Sequence, residues 1–114
     1  MVSYDGSEAA ERALAVAADL VGYGSTLSVV TVHPSEIDRS TVAVAREQLQ
    51  RRHVDAHYHE VHGAAAEQLV AKAHELRADL IVIGRNQPDA DRALLGSVCS
   101  TIVRCGPCDV LVVR

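Results

Sequence analysis

Three short runs of almost unbroken aliphatic residues constrain this chain most: Leu27 to Val32, Leu80 to Ile83 and Val110 to Val113. Runs of this length, rich in Val and Ile, suit strands buried on both faces rather than strands with one wet face. Between them the apolar residues recur at helical spacing. Ala10, Ala13, Leu14, Ala17 and Val21 form one such stripe after the Asp5-Gly6-Ser7 turn, with Ser7 as N-cap and Gly22 and Gly24 as the stop. Ile37 to Arg52 carries Val42, Ala45 and Leu49, and Ala65 to Arg77 carries Leu69, Val70, Ala73 and Leu76. A last short helix spans Ser97 to Arg104, led in by Leu94-Leu95.

With strands at Met1 to Asp5, Val54 to His62, Asp79 to Gly84 and Asp109 to Arg114, strand and helix alternate throughout. This order predicts an α/β fold, a parallel sheet covered on both faces through right-handed crossovers. At 114 residues we expect one domain spanning 1–114. Met1 to Asp5 is short for a buried first strand, so upstream residues are expected to be missing, or the domain to come from a longer chain. The 48% hydrophobic content supports a core. With no Trp or Phe, that core must be built from Ala, Val, Leu and Ile, with the few Tyr at its margins. A net charge of −4 offers no basic field for nucleic acid, and no apolar run is long enough to span a membrane. With the fold read as beginning at residue 2, no signal peptide is expected, and three cysteines within ten residues do not read as a secreted disulfide framework. A cytoplasmic location is the expectation.

Cys105-Gly106-Pro107-Cys108 spells a CxxC. Dithiol chemistry places a thiolate at a helix N-terminus, where the dipole stabilises it. Here a helix precedes the motif and a strand follows it. Gly106 and Pro107 read as a helix stop, so a helix-to-strand connector is expected rather than a redox centre. Zinc on Cys99, Cys105 and Cys108 lacks a nearby His as fourth ligand. The tract His57-Tyr58-His59-Glu60-Val61-His62 resembles a metal site, but strand alternation puts only His57 and His59 on one face. We read that face as solvated, with Val54, Ala56 and Tyr58 facing the core. We therefore expect neither a metal site nor a catalytic one.

Two loops at carboxyl strand ends draw attention: the Asp5 turn and the segment from Gly84 onward. Gly96-Ser97-Val98 opens the last helix, where free amides and the helix dipole favour phosphate. Together with Val2 to Glu8, the Gly63-Ala64-Ala65 turn, Ala78 to Gly84, Leu94 to Val98 and Pro107 to Val113, these segments stand in an order that resembles the universal stress protein family across essentially the whole chain. The resemblance implies a Rossmann-like three-layer sandwich whose five-stranded sheet has the order 3-2-1-4-5. It implies a homodimer through the last strand, Val110, Leu111, Val112 and Val113, and an adenine nucleotide, ATP or AMP, with Mg²⁺ accompanying the triphosphate. Carried over by position, Asp5 would contact the ribose or base, Val32 would lie near the base, and Ile83, Gly84, Gly96, Ser97 and Val98 would line the phosphate path.

The chain departs from the family's nucleotide motif, G-x-x-G, nine residues, then G-[S/T]. Gln87 stands at the second glycine, and eight residues separate it from Gly96. Asp89 and Asp91 would repel phosphate unless a divalent ion or Arg85 and Arg92 intervene. The leading expectation is a nucleotide-binding regulatory domain in stress response or signalling, with at most slow ATP hydrolysis. The alternatives are a nucleotide-free dimeric interaction module, alone or as part of a larger protein such as a transporter regulator, and an enzyme. The enzyme would be a thiol oxidoreductase through CGPC or a related adenine-nucleotide ligase, the latter without its upstream phosphate loop. Wild type and Cys105→Ser are expected to be equally inactive in insulin reduction; turnover that the substitution removes would restore the redox reading.

Overall fold

The computed structural model describes residues 1–22, 24–36, 38–85 and 96–114. The described strands are β1 (Val2–Ser3), β2 (Leu27–His33), β3 (Ala56–His62), β4 (Leu80–Gly84) and β5 (Asp109–Val113). Between them run α1 (Glu8–Leu20), α2 (Arg39–Arg51), α3 (Ala65–Glu75) and α4 (Ser97–Cys105). All four strand pairings are parallel and the sheet order is β3-β2-β1-β4-β5. This is the order the family resemblance implies.

The alternation of side chains across the sheet sorts the core into two layers. Val2, Tyr4, Leu27, Val29 and Val82 pack with Ala10, Ala13, Leu14 and Ala17 of α1 and Ala45 and Leu49 of α2. Val30, Ile81 and Ile83 pack with Leu69 and Ala73 of α3 and Cys99 and Ile102 of α4. Helices therefore cover both faces, as continuous apolar strands require. The alanines of α1 let it lie close to the sheet, and Ala13 and Ala17 are essentially inaccessible.

Element ends follow local chemistry. Ser7 Oγ accepts from the Ala10 amide at 3.1 Å and starts α1. The helix ends at Leu20 with Val21 as its cap, just before the glycines. Asp38 caps α2, which begins at Arg39, and hydrogen bonds from Ser40 hold its carboxyl below the usual carboxylate range. After α2 the chain needs a left-handed residue, His53 (φ 57°), and β3 starts at Ala56 rather than Val54. Likewise α3 stops at Glu75, because Arg77 turns left-handed (φ 52°).

CGPC lies where the sequence places it. Cys105 ends α4, Gly106 is its C-cap with its amide on Ile102 O at 2.7 Å, and β5 opens at Asp109. Burial pushes the half-buried Cys108 thiol above its ordinary pKa. The histidine tract needs a correction. His57 is exposed, but His59 is half-buried, and its Nε2 is closed off from solvent. Burial, then the Lys72 ammonium of α3 and His57, push the His59 imidazole below its ordinary pKa, while Glu75 opposes. That face of β3 is thus partly roofed by α3 rather than fully solvated.

One close approach orders the centre of the fold. A Cβ on Gly84 would stand 2.3 Å from Ala9 O and 2.9 Å from Ala10 N. The first turn of α1 therefore rests directly on the end of β4, and neither backbone can yield. We expect Gly84→Ala to lower stability by about 3 kcal/mol, the upper part of the overpacking range, measured by urea unfolding. An unchanged midpoint would mean the two elements can separate freely.

Candidate functional site

At the switch point of the sheet, β1 leads into α1 on one face while β4 leads toward α4 on the other. Open parallel sheets form a crevice there, at the carboxyl ends of the strands. A crevice of about 590 Å³ occupies this position. Asp5, Val32, Ile83, Gly84, Gly96, Ser97 and Val98 all line it, although they come from four separate parts of the chain. Its volume lies within the usual range for small-molecule sites, roughly 300–1,000 Å³. The segment carrying Gln87, Asp89, Asp91, Arg92, Leu94 and Leu95 lies outside the described residues.

The β1–α1 turn is built to hold its shape. Gly6 adopts φ +86°, a conformation that L side chains rarely adopt. Asp5 Oδ1 accepts from the Ser7 amide at 2.9 Å, which leaves the exposed side chain at the mouth of the crevice. Beneath it Tyr4 lies within the core rather than at its margin, because its phenol finds a partner: the hydroxyl donates to Glu11. Burial first, and then this carboxylate, raise the phenol pKa, so Tyr4 remains neutral.

The helix entrances differ between the faces. On one face, α1 and α2 are capped by Ser7 and Asp38 side chains. On the other, α3 and α4 begin at Ala64 and Gly96 without any side-chain cap. Uncapped first-turn amides with the positive end of the dipole behind them suit an anion. Val98 and Cys99 of that first turn line the crevice, with the exposed Ser97 beside them. The arrangement can therefore hold an anionic group near Gly96 and a less polar one toward the ends of β1 and β2.

Sequence reasoning missed one pair. His33, 5% exposed, lines the crevice, and its Nε2 lies 3.2 Å from Glu60 Oε1. The Asp38 amide donates to His33 Nδ1 at 3.4 Å, so Nε2 carries the hydrogen toward Glu60. Parallel register puts His33 opposite His62 and Thr31 opposite Glu60. The available signal was the polar pair at the ends of neighbouring strands, Thr31 and His33 against Glu60. Cys99, 4% exposed, was read only as part of a cysteine cluster, yet it faces the crevice and its Sγ points to Gly84 O at 3.8 Å.

The sequence profile of the universal stress protein family matches residues 35–114. A universal stress protein of Staphylococcus aureus (strain USA300) is 56% identical over 43 residues, which cover 37% of this chain and 26% of that protein. The matched stretch thus spans about a quarter of that relative's length. Among solved structures, a universal stress protein from Archaeoglobus fulgidus DSM 4304 superposes with a TM-score of 0.81 at 27% identity, covering 99% of this chain and 42% of that one. A universal stress protein in complex with cAMP superposes with a TM-score of 0.79 at 25% identity, covering 99% and 93%.

The two ends of α4 should differ in thiol reactivity. Burial raises the Cys99 thiol pKa, opposed only in part by Arg85, whereas Cys105 is exposed. Iodoacetamide at neutral pH is expected to label Cys105 well before Cys99, followed by peptide mass spectrometry. Equal rates would place Cys99 in open solvent.

Proposed function

The chain belongs to the universal stress protein family, and from that premise we propose that its crevice binds an adenine nucleotide, ATP or AMP. The observation that carries this reading is the meeting of Asp5, Val32, Ile83, Gly84, Gly96, Ser97 and Val98 around one crevice with an uncapped helix entrance at one end. The phosphates lie along Gly84, Gly96, Ser97 and Val98, with Ile83 beside them. The nucleoside lies toward Asp5 and Val32. The solved relative that holds cAMP supports the adenine class of ligand.

In this reading the domain is regulatory, acts in stress response or signalling, and resides in the cytoplasm. No residue is assigned as a catalytic base, so hydrolysis is slow and incidental. Mg²⁺ would enter with the triphosphate and neutralise part of its charge. Among the described residues no helix is long and apolar enough to cross a membrane. The sheet edge at β5, with Val110, Leu111, Val112 and Val113, is assigned to a twofold contact with a second copy. Leu111, 37% exposed, would be covered there, and pairing would protect an otherwise open apolar strand edge.

Mass spectrometry of small molecules released from the denatured pure protein is expected to show an adenine nucleotide, and calorimetry with ATP-Mg²⁺ and AMP to show binding. If nothing is released and no heat appears, the nucleotide-free interaction module replaces this reading. Gly96→Trp is expected to abolish binding while the dimer survives on gel filtration. Retained affinity would displace the phosphates from α4.

A further inference from the structure

A buried imidazole ties three elements together at the nucleoside end of the crevice. His33 ends β2, is 5% exposed and lines the crevice. Leu27 and Val29 pack in the layer of α1 and α2, so strand alternation places His33 on that face too. Its Nε2 donates to Glu60 Oε1 of the outer strand β3, 3.2 Å away. Its Nδ1 accepts from the Asp38 amide at the head of α2, at 3.4 Å. Its backbone carbonyl accepts from the Gly63 amide of the β3–α3 turn at 3.0 Å.

An imidazole buried this deeply requires its hydrogen bonds, since burying a polar group without partners is costly. With both ring nitrogens engaged, it has none left to touch a ligand or to take a ligand's proton. Its effect on the crevice therefore runs through what it holds, and the chief candidate is the entrance of α2.

That entrance is part of the crevice wall. Pro34 and Thr41, on either side of Asp38 in the chain, both line it. Asp38 starts α2 by accepting from the Ser40 amide at 3.0 Å. In the first turn that follows, Thr41 Cγ2 stands 3.6 Å from where a Cβ on Gly6 would lie. The head of α2 thus leans on the β1–α1 turn that carries Asp5. We infer that His33 is a positioning residue for the nucleoside: through Asp38 it fixes the α2 entrance, so that Pro34 and Thr41 complete the wall beside Asp5 and Val32. This inference rests on the adenine-nucleotide reading. Glu60 acts one step further back. By accepting from Nε2 it keeps the ring hydrogen off Nδ1, the nitrogen that must accept from Asp38.

The test compares wild type with His33→Leu, which has no acceptor for the Asp38 amide, and His33→Asn, whose amide oxygen can stand near the place of Nδ1. Titration calorimetry uses AMP and ATP-Mg²⁺. His33→Leu is expected to weaken both by the same factor, about five- to tenfold, the scale of one neutral hydrogen bond. His33→Asn should restore most of that affinity, although it is too short to reach Glu60. If His33→Leu binds as wild type does, the inference fails while the nucleotide reading stands. Equal weakness of His33→Asn and His33→Leu would also overturn it, because the acceptor would not be the cause. So would a loss confined to ATP, which would move the effect to the phosphates. Ring-nitrogen NMR of the wild type, with His33 identified by its absence from the His33→Asn spectrum, should show the hydrogen on Nε2. A hydrogen on Nδ1 would sink the inference even if His33→Leu did not fold. If wild type binds neither ligand, the reading and the inference fall together.

Discussion

The contact between the first turn of α1 and the end of β4 fixes the distance on which the rest of the molecule depends. Ala9 and Ala10 lie with their backbone against Gly84, closer than any Cβ would allow. That approach ties the β1–α1 turn to the mouth of β4, across the switch point of the sheet. The two sides of the crevice therefore meet because one residue has no side chain. The same packing puts the alanine stripe of α1 onto Val2, Tyr4 and Val82, a thin layer beneath the site. Gly84 thus has a packing role whatever the ligand.

Around this fixed centre the two faces are treated differently. The capped helices α1 and α2 each satisfy one first-turn amide with a side chain, and Tyr4–Glu11 and His33–Glu60 are bonded in pairs beside them. The uncapped helices α3 and α4 leave theirs to the crevice edge. The result is an uneven crevice, with uncapped helix entrances at one end and the Tyr4–Glu11 and His33–Glu60 pairs toward the other.

Most of the elements were legible because each is signalled within a few residues. The aliphatic runs give β2, β4 and β5, and Ser7 gives the start of α1, in agreement with the structure. CGPC was legible for the same reason: chain order alone places its cysteines after a helix rather than before one. Where reading failed, the cause was non-local. His59 was assigned to a wet face because alternation tells which residues share a side of a strand, not what covers that side. The His33–Glu60 pair joins residues on different strands through the β2–β3 register, and no local pattern announces it.

The sequence by itself determined the alternation of strand and helix, the aliphatic core and the two glycine-bearing loops, since these follow from hydrophobic spacing and backbone preference over short distances. The family resemblance supplied the strand order. Only the tertiary structure decided that Gly84 is required by the backbone of α1, that His33 is held by Glu60, and that the buried Thr31 hydroxyl has no hydrogen-bond partner among the described residues. Each of these depends on which atoms lie within a few ångströms after the chain has crossed the sheet, and a side chain's neighbours across a sheet are set by packing rather than by its position in the chain.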